Sequence, residues 1–136
     1  MSRHRHGNVK QVAAAIVFHE GCVLVARRAP GQNLEGLWEF PGGKLEPGET
    51  PQSCVVRELD EELSLAVEPG PTLIESLFRY PGGAINLIAV VAEAAKRDVF
   101  LTVHDEVQWL APIDLLTAEL APADIPIAEE ISRRFS

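Results

Sequence analysis

Three glutamates lie close together in the middle of the chain, at a spacing that could bind a metal ion. Glu58, Glu61 and Glu62 stand at positions i, i+3 and i+4, which places them on one flank of an α-helix. Like charges at this spacing repel each other by about 0.2–0.5 kcal/mol per pair unless a cation offsets the repulsion. Hard carboxylate oxygens suit Mg²⁺ or Mn²⁺, and such ions serve phosphate chemistry. The alternative is a solvated acidic face partly neutralised by Arg57.

A helix must carry these carboxylates, and the local sequence predicts one. Thr50 is a suitable N-cap, Pro51 fits the first helical position, and the segment Gln52–Leu63 contains no Gly or Pro. The helix has an apolar flank made of Val55, Val56, Leu59 and Leu63. Before it, Gly42 and Gly43 allow backbone to approach a ligand closely. The pattern predicts a packed helix with one charged flank.

The stretch from Gly43 to Leu65 resembles the Nudix box. Gly43 is followed after five residues by Glu49, and after seven more by the run RELDEELSL. The family pattern has G, five residues, E, seven residues and then REUxEExGU, with U aliphatic. Ser64 stands where the family has Gly, and Ser is a less favourable left-handed cap without loss of chemistry.

This resemblance implies a fold, a reaction and a metal site. The fold is α/β, an α/β/α sandwich with a mixed β-sheet. The reaction is that of MutT-like members: a Mg²⁺-dependent (or Mn²⁺-dependent) pyrophosphohydrolase cleaves a (deoxy)nucleoside triphosphate, such as oxidised dGTP or a (d)CTP-type nucleotide, to the monophosphate and pyrophosphate. The family's metal ligands correspond to Glu58, Glu61, Glu62 and the backbone carbonyl of Gly42. The same resemblance implies that Arg57 orients Glu49 through an ion pair.

Substrate contacts are expected from two basic residues. Arg27 and Arg28 end a strand, so only one of them faces a cleft, and the resemblance favours Arg28 as a phosphate ligand. Lys44 is a second phosphate contact. MutT-like members carry a further metal-binding Glu six residues before a late tryptophan, where this chain has Val103. Glu106 is therefore only a weak candidate for the metal site.

Asp124 has two interpretations. As a favoured N-cap residue it could simply begin the last helix. In MutT-like proteins an Asn or Asp at this place contacts the nucleobase, and the context Pro122–Pro126 resembles that position. An ionised Asp only accepts hydrogen bonds, which favours guanine, then cytosine, then adenine.

The remaining elements surround this helix. The expected strands are Val9–Phe18, Cys22–Ala26, a short one around Trp38–Phe40, Thr72–Tyr80, Ala84–Ala92 and Glu106–Leu110. Near-continuous apolar character in the first two predicts a sheet covered on both faces. Val67–Pro71 is expected to be a connector, Pro112–Thr117 a helical turn and Ile125–Ser136 a helix.

Length and charge limit the function classes. A chain of 136 residues predicts one domain, 1–136, with residues 1–8 as a flexible tail. The net charge of −8 argues against nucleic-acid polymers and anionic membranes as partners. Cys22 and Cys54 form no redox or zinc motif, and no signal peptide is evident, so a cytoplasmic monomer or weak homodimer acting on a small nucleotide is expected. The alternatives are hydrolysis of ADP-ribose or a dinucleoside polyphosphate, or nucleotide binding without turnover.

Overall fold

A computed structural model describes residues 9–135 of the chain. The expected flexible tail, residues 1–8, and Ser136 lie outside the described residues. The strands are β1 (Val9–His19), β2 (Cys22–Arg28), β3 (Trp38–Glu39), β4 (Gly42–Lys44), β5 (Val67–Tyr80), β6 (Gly83–Ala94) and β7 (His104–Leu110). The helices are α1 (Pro51–Leu63) and α2 (Ile125–Phe135), with 3-10 helices at Pro112–Thr117 and Pro122–Asp124.

The seven strands form one mixed sheet built around β1. β1 runs parallel to β6 and antiparallel to β2 and β4. β5 pairs with β6, while β3 and β7 pair with β2, all antiparallel. Every residue from 13 to 17 in the middle of β1 is at most 1% exposed, as the continuous apolar run predicts for a sheet covered on both faces.

The two helices cover opposite faces of this sheet. Because strand side chains alternate, Ala13, Ala15 and Val17 pack into one core cluster with Leu59 and Leu63 of α1. Ala14 and Ile16 pack into the other cluster with Ile127 and Ile131 of α2. The α/β/α sandwich with a mixed sheet, expected from the sequence, is confirmed.

The helix α1 begins and ends as its sequence predicts. Thr50 Oγ1 accepts a hydrogen bond from the Ser53 amide, and the Thr50 amide donates to Ser53 Oγ, both at 3.1 Å. This reciprocal capping box fixes the first turn. Ser64 has φ 51° and ψ 38°, and its amide donates to the carbonyl of Asp60. Ser64 thus takes the left-handed conformation usual for Gly here, and the helix end is preserved.

One boundary was predicted wrongly. The segment Val67–Pro71, expected to be a connector, is the first part of β5. Pro69 and Pro71 are tolerated because β5 lies at the edge of the sheet and its register with β6 shifts between Pro69 and Thr72. Both cysteines are free thiols. Over residues 9–135, no helix combines the length and apolar character needed to cross a membrane.

Candidate active site

Arg57 on α1 connects the helix to the loop that precedes it. Its Nε and Nη2 donate to the two carboxylate oxygens of Glu49 at 2.6 and 2.9 Å, a bidentate pair. Nη2 also donates to the carbonyl of Lys44 at 3.3 Å. Glu49 further accepts a hydrogen bond from the amide of Glu46. The Arg57 guanidinium and this amide lower the pKa of Glu49 to about 2. The expected ion pair is present.

Two of the three helix carboxylates also contact Arg57. Its Nη1 lies 3.1 Å from Glu58 Oε2 and 3.2 Å from Glu61 Oε1. Glu58 is largely buried, with 14% of its side chain exposed, whereas 59% of Glu61 is exposed. Gly43 in β4 packs against Glu58 so closely that a Cβ there would lie 2.2 Å from Oε2. A side chain at position 43 is therefore incompatible with this position of the Glu58 carboxylate.

Glu62 differs from its neighbours because no described residue satisfies one of its oxygens. Oε1 is buried and has no hydrogen-bond partner, which costs about 1–3 kcal/mol for a polar group and more for a charged one. Burial, followed by the charges of Glu58 and Glu39, raises the pKa of Glu62 to about 8. A cation beside Glu62 would offset these costs, so the residues fit a divalent ion.

The side chains do not by themselves form a preassembled metal cluster. Within residues 9–135, no group of three His, Cys, Asp or Glu side chains is arranged to hold an ion. Glu58 and Glu61 are instead bonded to Arg57. The fit to a metal therefore depends on the chemistry of the donor set and on the unsatisfied oxygen of Glu62.

A cavity of about 510 Å³ is lined in part by Gly43, which packs against Glu58, whereas Glu58, Glu61 and Glu62 themselves do not line it. It brings together residues far apart in sequence, four of which were predicted to contact substrate or metal: Arg28, Gly42, Lys44 and Asp124. Another cavity, of about 430 Å³, is lined by Phe18, His19 and Phe135 and includes none of the predicted site residues.

The two adjacent arginines of β2 take different environments, as strand alternation predicts. Arg28 lines the cavity, and its Nη1 donates to Glu39 Oε2 at 3.3 Å. Arg27 forms a bidentate pair with Asp105, with Nε 2.8 Å from Oδ1. Its guanidinium also lies over the Trp38 ring, 5.6 Å from the centroid. Only Arg28 is placed to contact a ligand in the cavity.

Asp124 is buried in the cavity wall and does not cap α2. It ends a 3-10 helix that continues directly into α2, and the extended residue before this helical run is Ala121, with ψ 142°. The N-cap interpretation was therefore wrong. Asp124 is 6% exposed, and the nearby Phe40 amide offsets only part of the effect of this burial on its pKa. Burial and the nearby Glu39 raise the pKa of Asp124 well above its usual range.

Glu106, the weak candidate for the metal site, does not join it. It is the cross-strand partner of Arg27, and its Oε1 lies 3.2 Å from Arg27 Nη2. Cross-strand partners share a face of the sheet, and Arg27 lies over Trp38, which belongs to the core cluster on the α2 side. The pairing of β2 with β7 thus directs Glu106 away from α1.

Sequence reasoning missed two residues beside the cavity. Glu39 alternates with the core residues Trp38 and Phe40, so the period of two could have shown that it faces α1. His104 is 3% exposed, and its Nε2 lies 2.8 Å from Glu39 Oε2. No local pattern could have identified His104, because its position depends on strand pairing.

Comparisons with known proteins identify the family. Residues 9–131 match the family model described as the NUDIX domain. CTP pyrophosphohydrolase of Escherichia coli (strain K12) is 36% identical over 119 residues, covering 88% of each chain. The 8-oxo-dGTP diphosphatase of the same strain is 28% identical over 124 residues, covering 90% of this chain and 96% of that one.

A solved structure gives the same result for the fold. The MutT protein from Methanosarcina mazei Go1 superposes with a TM-score of 0.78 and 27% identity, covering 92% of this chain and 94% of that one. Nudix hydrolases generally need a divalent metal ion, which the carboxylates of α1 suit. The family match over most of the chain and the carboxylate helix lead to one conclusion: this chain belongs to the Nudix hydrolase family.

Proposed function

We propose that this chain hydrolyses a (deoxy)nucleoside triphosphate to the monophosphate and pyrophosphate, with Mg²⁺ or Mn²⁺ as cofactor. One observation carries the proposal. A single cavity contains two cationic side chains, Arg28 and Lys44, and a buried polar one, Asp124. Cations suit the phosphates of a nucleotide and a buried hydrogen-bonding group suits its base.

The phosphates require positive charge, which this acidic chain provides in few places. Arg28 has five N–H donors, and three of them go to Glu39, Asn33 and Gln32. Two donors remain for a phosphate. Lys44 adds a flexible ammonium group on the same cavity wall. With a net charge of −8, a small free nucleotide is a more suitable substrate than a nucleic-acid polymer.

The divalent ion would be held by Glu58, Glu61 and Glu62 and by the backbone carbonyl of Gly42. When bound, it neutralises phosphate charge and lowers the pKa of a coordinated water. The unsatisfied oxygen of Glu62 supports this assignment. Arg57 acts as a scaffold, because its bonds to Glu49, Glu58 and Glu61 restrict where those carboxylates can move.

The base is proposed to be read by a neutral Asp124. Its raised pKa favours the protonated carboxyl, which presents one donor and one acceptor side by side. Cytosine offers the complementary pair, its amino group and N3. Oxidised guanine offers another, its N7–H and O6. The N1–H and amino group of unmodified guanine are two donors that suit an ionised Asp, whereas a neutral Asp124 pairs with guanine N1–H and O6 no better than with cytosine. The reason for ranking guanine first is therefore lost, and we propose (d)CTP-type nucleotides and oxidised dGTP.

The relatives support this choice of substrates. One is named CTP pyrophosphohydrolase and another 8-oxo-dGTP diphosphatase, and both bases present a donor beside an acceptor. Adenine and unmodified guanine also present such a pair, guanine through N1–H and O6, so discrimination against them must involve other groups of the cavity.

A nucleotide panel tests the proposal directly. Purified protein with Mg²⁺ is incubated with CTP, dCTP, 8-oxo-dGTP, dGTP, ATP and ADP-ribose. Pyrophosphate and phosphate release are scored separately, and AMP formation is scored for ADP-ribose, which releases neither. We expect pyrophosphate release that stops in excess chelator, and faster turnover of a cytosine nucleotide or 8-oxo-dGTP than of dGTP. Release of phosphate alone, or a preference for ADP-ribose, would contradict the proposal.

A further inference from the structure

One carboxylate oxygen beside the cavity is shared by two donors. Glu39 Oε2 accepts from His104 Nε2 at 2.8 Å and from Arg28 Nη1 at 3.3 Å. The shorter of the two bonds is the one to His104, which does not line the cavity, and the longer is the one to Arg28, which does. Among residues 9–135, the side-chain hydrogen bonds that connect His104 to the cavity residue Arg28 therefore pass through Glu39.

A β-bulge places His104 at this oxygen. Along β2 and β7, Arg27 pairs with Glu106 but Arg28 pairs with His104, so Asp105 is the extra residue of the bulge. As cross-strand partners, Arg28 and His104 share a face of the sheet. The carboxylate of Asp105 instead forms a bidentate ion pair with Arg27. Without the bulge, Asp105 would stand opposite Arg28 and His104 would point to the other face.

The His104 ring has little other reason to be buried. Its Nδ1 is also buried and finds no hydrogen-bond partner among residues 9–135, so the bond to Glu39 is its one polar anchor in that part of the chain. Leaving a buried polar atom unpaired is unfavourable, and an apolar residue would fill the same space without that cost. The bond to Glu39 is what a histidine adds.

Glu39 needs such an anchor because acids surround it. Its charge acts on the carboxyl groups of both Glu62 and Asp124, so a mobile Glu39 would be repelled from either group when it is ionised and drawn toward the nearest cation. That cation is Arg28. A donor that fixes Glu39 therefore also fixes the direction in which Arg28 is held.

We propose that His104 is a positioning residue that orients Arg28 toward the cavity by anchoring Glu39. This role rests on the proposed function of Arg28 as a phosphate ligand. His104 itself contacts no substrate. The Asp105 bulge, the Glu39 carboxylate and the Arg28 guanidinium form one connected unit along the edge of the cavity.

Two substitutions at the same position separate positioning from simple packing. His104→Leu fills similar space and removes the donor, whereas the side-chain amide of His104→Gln can replace the imidazole Nε2–H. With the best nucleotide of the panel, we expect His104→Leu to raise KM by about 10-fold, the lower end of the range for losing one hydrogen bond to a charged group, with kcat nearly unchanged. His104→Gln should restore a KM close to that of the unsubstituted protein.

A double-mutant cycle tests whether the effect passes through Arg28. In an Arg28→Gln background, His104→Leu should raise KM by no more than about twofold, because the coupled partner is already absent. Equal effects of His104→Leu in both backgrounds would overturn the proposal. So would a failure of His104→Gln to restore KM in a protein that melts normally. His19→Ala, which removes a histidine bonded to the Ala94 carbonyl in the other cavity, is the matched control.

A spectroscopic measurement decides the question even if the substrate is not a triphosphate. The Arg28 Nε–H donates to the Asn33 carbonyl at 3.1 Å, so an ordered guanidinium should give a resolved ¹⁵N–¹H signal. We expect this signal to shift or broaden in His104→Leu and to return in His104→Gln. An unchanged signal in His104→Leu would overturn the positioning role, whereas absent triphosphate hydrolysis with a changed signal would refute only the proposed function.

Discussion

Two neighbouring glycines should respond to the same substitution in opposite ways. In Gly43→Ala, the new Cβ would lie 2.2 Å from Glu58 Oε2 and 2.4 Å from its Cδ. Contacts below 3.0 Å essentially never occur for Cβ atoms, so the Glu58 carboxylate must move by at least about 0.8 Å. The moving group is the far end of a flexible side chain, which makes the shift inexpensive for folding.

The same shift should be costly for the reaction. Misplacing a catalytic group by about 1 Å can lower turnover by about 100-fold, and Glu58 is a proposed metal ligand. We therefore expect Gly43→Ala to reduce kcat about 100-fold. Its melting temperature should stay the same or rise slightly, because Ala restricts the unfolded chain by about 0.4–1 kcal/mol relative to Gly.

Gly42→Ala provides the matched comparison. Its Cβ would lie 2.0 Å from the Ala13 carbonyl oxygen and 3.0 Å from the Ala14 Cα, which are backbone atoms of β1 paired with β4. Backbone cannot yield as a side chain does, so we expect a loss of about 1–3 kcal/mol in the free energy of unfolding. Urea unfolding and steady-state kinetics of both variants check the pair. Equal activity of Gly43→Ala and the unsubstituted protein would refute the reasoning about Glu58.

Substitutions at three further positions test separate parts of the site. Glu62→Gln should lower turnover by at least about 100-fold and abolish any rise in melting temperature caused by Mg²⁺, since it removes a proposed ligand charge. Full activity in this variant would exclude Glu62 as a metal ligand. Arg57→Ala should lower both melting temperature and activity because Glu49 loses its cation, and unchanged values would show that Arg57 is merely a surface residue. Asp124→Ala should lose base discrimination by about 1–3 kcal/mol in kcat/KM, whereas Asp124→Asn, which keeps a donor and an acceptor, should retain it. Because the folded-state pKa of Asp124 is raised, its stabilising contribution is full below pH 3.8 and is lost as pH rises. Asp124→Asn should therefore gain stability relative to the unsubstituted protein from pH 4 to 8. A difference in stability that does not change with pH would contradict the burial argument.

The parts of this molecule that depend on local sequence could be predicted. Thr50 and Ser53 complete a capping box within four residues, and the helical period alone places Glu58, Glu61 and Glu62 on one flank of α1. Alternation along β2 predicted that Arg27 and Arg28 would face different environments. Each of these features is decided by residues close in the chain.

Features that depend on distant pairing could not be predicted. Glu106 was assigned to the site because of its position in sequence, but its cross-strand pairing with Arg27 decides its face. His104 reaches Glu39 only because of the β-bulge at Asp105, which no local sequence pattern predicts. Asp124 resembles an N-cap in sequence, and only its packing beside Phe40 buries its carboxyl and changes its hydrogen-bonding character.

The distribution of charge partners explains where a cation is needed. Arg57 forms ion pairs with Glu49, Glu58 and Glu61. Arg28 and His104 form hydrogen bonds with Glu39. Asp124 needs no cation because its raised pKa favours the neutral, protonated carboxyl. Glu62 remains: its buried oxygen has no donor among residues 9–135 and two nearby carboxylates raise its pKa. A divalent ion gains most where protein donors are lacking, so the helix carboxylate that this fold leaves unsatisfied is the one around which metal binding should centre.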